Sequence, residues 1–164
     1  MKFVILAVFA GVAIYIGYIF SKKYKTRENF FSALIMLCQK FDVEINYSRQ
    51  RLKNIFSALD DKQKKSLHGI DKNFLSFIDN ESPLEKEFLF KGITFLKNEE
   101  KDVIFMFFKS LGRSDVDSQS KEIKNFQVRF ESLSSNAINE NKKYGSLSIK
   151  LGIVAALFIV VLFI

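Results

Sequence analysis

The sequence predicts an all-α protein, an antiparallel helical bundle set between two terminal transmembrane helices, and three observations carry that reading. Apolar runs occupy both ends of the 164-residue chain. Between them Pro83 is the single proline, and only Gly69, Gly92 and Gly112 lie well inside the polar stretch, so the residues that break helices are scarce. The apolar positions of that stretch recur at spacings of three and four, the period of a helix face.

The first run, 3–20, holds 18 uncharged residues. At a helical rise of about 1.5 Å per residue it spans roughly 27 Å, close to the hydrocarbon thickness of a bilayer. A cleaved signal peptide is the competing reading; the run is longer than a usual signal core, and it meets Ser21-Lys22-Lys23 where a small-x-small cleavage site would be expected. An uncleaved anchor over 1–21 is the expectation. At the other end 151–164 is strictly apolar, and extending it back to Gly145 gives 20 residues with Lys150 the single charge, a lysine placed to snorkel to the headgroups. A transmembrane helix over 144–164 follows.

Net charge is +7, which invites a nucleic-acid reading. Its distribution points elsewhere. Lys22, Lys23, Lys25 and Arg27 follow the first run, Lys142 and Lys143 precede the second, and Lys2 and Lys150 belong to the runs; without these eight, 17 basic residues face 18 acidic ones. The middle of the chain is therefore near neutral, with no basic stripe for RNA or DNA. Cations concentrated beside membrane segments orient a protein and draw it to anionic lipid, so 22–143 is read as a cytoplasmic helical domain with both termini on the far side. The opposite topology is the alternative.

Within that domain Phe30, Leu34, Leu37, Cys38 and Phe41 predict one amphipathic helix, and Leu52, Ile55, Phe56 and Leu59 a second after the polar break 46–48. Ile70, Phe74, Phe77 and Ile78 mark a third. Ser82 and Pro83 suggest the cap and first residue of a fourth, carrying Phe88, Phe95 and Leu96. A fifth covers 99–111; its 103–108 segment is apolar all round, which requires burial on every side or an interface, and core is the favoured reading. From Asp115 onward Ile123, Phe126, Phe130, Leu133 and Ala137 keep one phase, and Tyr144, Leu147 and Leu151 resume it, so the last helix is expected to run toward the membrane segment, with Gly145 as its weak point.

No constellation supports catalysis. His68 is the single histidine, in a charged stretch; Asp60-Asp61 and Glu99-Glu100 are neighbours whose side chains diverge on a helix; no phosphate loop, nucleophile elbow or clustered metal ligands occur. Neither cofactor nor metal is expected, and Cys38 reads as a small buried apolar residue.

Three strings carry a family resemblance. Phe41-Asp42-Val43-Glu44-Ile45-Asn46-Tyr47 resembles the E-I-x-Y segment, Leu111-Gly112-Arg113-Ser114-Asp115-Val116-Asp117-Ser118-Gln119 the L-G-x-S-D-x-x-x-Q turn, and Tyr144 with Leu147 the Y-x-x-L-G approach to a C-terminal membrane helix, all of the stage III sporulation protein AB family of endospore-forming Firmicutes. The chain departs at Ser148, where the family pattern has glycine, at Arg51, where proline is common, and in having no tryptophan. The resemblance implies a soluble region similar to the cytoplasmic domain of type II secretion platform F proteins. It further implies a structural role in a sporulation-specific secretion or channel complex of the mother cell, with other stage III A proteins and a secretion-type ATPase as partners, and a second copy of the domain supplied by self-association. Glu44, Ile45, Tyr47, Leu111, Gly112, Ser114, Asp115, Gln119 and Tyr144 are the candidate interaction residues, although the first two strings also have a plain structural reading: Glu44 with Tyr47 holds a hairpin corner, Gly112 ends a helix, Ser114 caps the next, and Asp115 and Asp117 sit in its first turn. A membrane-tethered sensor that binds a small ligand or signalling protein in a Phe-lined pocket is the rival reading.

Overall fold

The computed structural model describes residues 2–45, 52–113 and 115–163, with side chains over 6–45, 52–113 and 115–162. Every regular element among them is helical, and no strand occurs. In chain order these are α1 (Lys2–Val43), α2 (Leu52–Ser57), α3 (Asp61–Ser66), α4 (Ile70–Ile78), α5 (Lys86–Leu89), α6 (Asn98–Ser110), α7 (Val116–Glu140), a π-helical turn (Asn141–Gly145) and α8 (Ser146–Phe163). Two stretches are long and apolar enough to cross a membrane, one near the N-terminus in α1 and one ending in α8. The chain divides into two compact units, Asn29–Ser134 and the pair of end segments Met1–Glu28 and Ser135–Ile164.

The helical unit is built on phenylalanine. Phe107 of α6 meets Phe41 at 6.2 Å between ring centroids, Phe126 at 5.5 Å and Phe130 at 5.3 Å, each edge to face. Phe56 continues the cluster to Phe41 and Phe74, and Phe74 lies 4.8 Å from Phe108. Edge-to-face and tilted pairs at these distances add roughly 0.5–1.5 kcal/mol each beyond the area they bury. Ile104, Phe107 and Phe108 are buried, so one side of the 103–108 segment is core, but Val103 and Phe105 are half-buried and Met106 points outward with 57% exposure, so burial on every side does not hold. Cys38 is fully buried, and burial together with the Glu131 charge pushes its thiol up to about 12, which keeps it protonated and inert.

Local chemistry sets the short elements. Asp60 accepts the Gln63 amide at 2.6 Å while the Gln63 side chain accepts the Asp60 amide, a reciprocal cap that starts α3. His68 (φ 51°) and Gly69 (φ 86°) then turn the chain into α4. That helix ends on Asn80 (φ 58°), with the Glu81 amide reaching Ser76 O and the Asn80 amide Phe77 O, the paired bonds of a left-handed C-terminal cap.

One expected helix differs. Ser82 and Pro83 do not begin a helix through Phe95 and Leu96; the Ser82 hydroxyl is buried without a partner and caps nothing. The chain is irregular to Glu85, makes a single turn at α5, and leaves it through Gly92 at φ 80°. Burial explains the outcome: Phe90, Ile93 and Leu96 all face inward from irregular backbone, and Asn73 Nδ2 holds the Phe88 and Leu89 carbonyls at 3.1 Å, so the carbonyl ends of α5 are satisfied without more helix.

Candidate interaction site

The Leu111 to Gln119 string forms a corner between α6 and α7. Leu111 is extended and buried, and Gly112 follows at φ 77°. Glycine is favoured there by its positive φ, and a Cβ on it would also crowd Leu52 Cδ1 at 3.1 Å. The Gly112 amide donates to Gln119 Oε1 at 2.8 Å, closing the corner across seven residues, and the Gln119 side chain is buried. Asp115, expected in the first turn of the helix, is its cap: Oδ1 accepts the Ser118 amide at 3.0 Å and the carbonyl accepts the Gln119 amide at 2.8 Å. Hydrogen bonds from the Ser118 amide and hydroxyl hold the exposed Asp115 carboxyl below the usual range. Ser114, for which the capping role was expected, lies outside the described residues.

The first string reaches the start of α7, just past the second string. Asp42, one residue before the end of α1, accepts the Ser120 hydroxyl at 2.5 Å through Oδ1, and Lys124 Nζ approaches Oδ2 at 3.4 Å. Leu52, on the other side of the first string, is the neighbour of Gly112. Ile45 is buried and Glu44 half-buried, with one Glu44 oxygen, Oε2, lacking a hydrogen-bond partner; Gln119 Nε2 lacks one as well. Tyr47 lies outside the described residues. Asp42 of the first string thus packs on α7 directly after the second string, whose outer surface carries the exposed Arg113, Asp115, Asp117 and Ser118.

Tyr144 belongs to the unit of end segments, where a network had no signal in the sequence. Its ring stacks on Tyr24 at 5.9 Å, with Lys143 Nζ 5.1 Å from its centroid. One helical turn away Arg27, only 4% exposed, donates to Glu140 Oε2 at 2.6 Å. Asn141 Nδ2 donates to Glu28 Oε2 at 2.6 Å and Lys25 Nζ to Glu28 Oε1 at 2.7 Å. Burial alone would raise the Glu28 carboxyl, but these two bonds and the Lys25 and Lys142 charges outweigh it and leave it below the usual range. Partners more than a hundred positions apart produce no local pattern.

Deeper in the apolar pair, α1 and α8 approach closely through small residues. A Cβ on Gly17 would lie 2.5 Å from Ser148 O, and one on Gly152 2.9 Å from Ala13 O. Backbone contact of this kind is how helices associate where the surroundings offer no hydrophobic gain. Ser148 fits because its hydroxyl turns back to Tyr144 O at 2.7 Å. Gly145 lies in the π-helical turn and is buried, and the helical winding continues through it from Val116 to Phe163.

The His68 ring lies edge-on to Phe95 at 4.9 Å, and its partial desolvation there lowers its pKa; among the described residues no three His, Cys, Asp or Glu side chains are placed to share a metal ion. A family model described as stage III sporulation protein AB matches residues 2–164, essentially the whole chain. Neither the curated proteins nor the solved structures give a match.

Proposed function

The chain belongs to the stage III sporulation protein AB family, and from that premise we propose that it is a structural membrane component of the complex that joins mother cell and forespore. In this reading the helical unit lies in the mother-cell cytoplasm, held to the membrane around the forespore by the apolar stretches of α1 and α8. It serves as a platform, similar to the type II secretion F domain, that couples a secretion-type ATPase to the other stage III A proteins. One observation supports the choice of docking site: the second family-like string forms the corner between α6 and α7, and Asp42 of the first is bonded to Ser120, the residue that directly follows it. The corner is closed internally by Gln119, so Asp115, Asp117 and Ser118 project outward from a fixed frame.

The test is crosslinking in sporulating cells from single cysteines at Asp115, Asp117 and Ser118, with Cys38→Ala as background. Adducts with a stage III A protein or with the ATPase are expected from at least one position, and none from any of the three would remove the corner as a docking site. Orientation is checked separately: protease added to intact protoplasts should leave the middle of the chain whole.

A further inference from the structure

The outward face of α6 carries an ordered charge pattern. Ile104, Phe107 and Phe108 turn inward, whereas Glu99, Asp102, Met106 and Lys109 are exposed, and Arg113, just past the helix, lines one shelf with Met106, Lys109, Ser110 and Glu122. Spacings of three, four and three place Glu99, Asp102, Met106 and Lys109 in one stripe of α6, and Arg113, past the helix end, joins its Lys109 end through the shelf it lines. Its charge runs from acidic to apolar to basic. Among the described residues Glu99, Lys109 and Arg113 have no ion-pair partner, and Asp102 is bridged to Lys86 by a pair exposed on both sides, the kind that contributes little and exchanges readily.

We infer that this stripe is a self-complementary interface on which a second copy of the chain packs antiparallel, Met106 against Met106. A two-fold axis through Met106 sets each residue against the one equally far on its other side. Asp102 and Lys109 are four and three positions away along α6, with Glu99 in the first turn of the acidic end and Arg113 just past the basic end. Each acidic position of one copy therefore faces a basic position of the other, twice over, around an apolar centre of two methionines. The parallel arrangement would set acid on acid and cation on cation. An acidic protein or an anionic lipid would match only the Lys109 and Arg113 half and would be opposed by Glu99 and Asp102, so a second copy is the occupant that satisfies the whole stripe.

The contact is small. Thirteen residues make a helix about 20 Å long, and one such face falls well short of the roughly 1,600 Å² of a standard interface. Association is therefore weak in dilute solution and becomes populated where copies are concentrated, since confinement acts as a raised effective concentration. This inference stands apart from the corner at Asp115 to Ser118, and its readout is the chain bound to itself.

The experiment uses the full-length chain with Cys38→Ala, expressed in membranes and oxidised with copper phenanthroline. Met106→Cys should give a disulfide-linked homodimer. Adding Glu99→Arg or Arg113→Glu should each lower the dimer yield severalfold by setting like charges opposite each other, and both changes together should restore it to within about twofold. Val128→Cys, on an exposed position of α7 (65%), is the collision control and should give little dimer. Four results would overturn the interface: no dimer from Met106→Cys, equal dimer from Val128→Cys, yields indifferent to the single charge reversals, or failure of the double reversal to rescue while circular dichroism shows native helicity. An adduct of Met106→Cys with a different protein in place of itself would overturn it too.

Discussion

Arg27 and Glu140, 113 positions apart, meet at 2.6 Å with the guanidinium almost completely buried. A charge so enclosed is tolerated because an anion lies against it, and the pair fixes which turn of α7 stands beside which turn of α1 within the unit of end segments. Removing one side of such a pair is costly, typically 3–5 kcal/mol when both groups are buried. Glu140 keeps some solvent exposure, 28% at the side chain. Glu140→Ala should therefore cost about 2–3 kcal/mol, and Arg27→Lys should not rescue function of the pair, since an ammonium lacks the planar fork. Thermal unfolding of the detergent-purified chain measures both.

Gly17 and Gly11 should respond in opposite ways. A Cβ at position 17 meets backbone at 2.5 Å, which no rotamer relieves, whereas nothing lies within 4 Å of a Cβ at position 11. Gly17→Leu is expected to separate α1 from α8, read as loss of an intramolecular disulfide between Ile16→Cys and Leu151→Cys, two positions lining the groove between these helices. Gly11→Ala should preserve that disulfide and add up to about 1 kcal/mol of helix stability.

The corner tests Gln119. Gln119→Ala removes the acceptor for the Gly112 amide and should destabilise the helical unit by about 1–3 kcal/mol. Gly112→Ala should cost about 1–2 kcal/mol, because an L side chain is forced to φ 77° against Leu52 Cδ1. Chemical denaturation followed by circular dichroism is the measurement; a Gln119→Ala variant as stable as the parent would mean the bond contributes nothing.

Asp71 gives a pH dependence. It is 3% exposed with Oδ1 unpartnered, and burial raises its carboxyl, an effect the Asp71 and Lys72 amides reduce without cancelling. For an acid whose folded pKa lies above its unfolded value, the folded chain binds the proton more tightly. The penalty is then absent below the unfolded value of about 3.9, grows as pH rises, and is complete above the folded value. Asp71→Asn should accordingly raise the melting temperature at pH 7, and its advantage should shrink to nothing below about pH 4. A variant less stable than the parent at pH 7 would show the charged form to be the favoured one.

Much of this architecture is written in local pattern. The apolar ends, the 70–78 helix, the 99–111 helix and its inward Phe pair all follow from spacing, because a helix face repeats every three to four residues whatever surrounds it. Glycine at 112 and its turn were legible for a different reason, since glycine is the residue that most readily takes the left-handed conformation that ends a helix. The sequence reading failed where tertiary burial overrode a local signal: Ser82-Pro83 has the look of a helix start, yet Phe90, Ile93 and Leu96 gain more by packing from irregular chain. At α3 the signal is local, since Asp60 and Gln63 stand at the spacing of a reciprocal cap, a pattern the apolar periodicity does not register. The Arg27, Glu28, Glu140 and Asn141 network and the Gly17 to Gly152 approach had no sequence pattern to find, because only folding brings residues so distant together.

The π-helical turn at Asn141–Gly145 has a geometric consequence. Its hydrogen bonds reach one residue further than those of an α-helix, so the segment stores one surplus residue, worth about 100° of arc. Losing that residue, or redistributing it along the rod, would swivel everything beyond Gly145 by more than a quarter revolution while keeping the backbone wound. Gly152 would then no longer face Gly17, and the seam between the two greasy rods would open without a single strand of chain being broken.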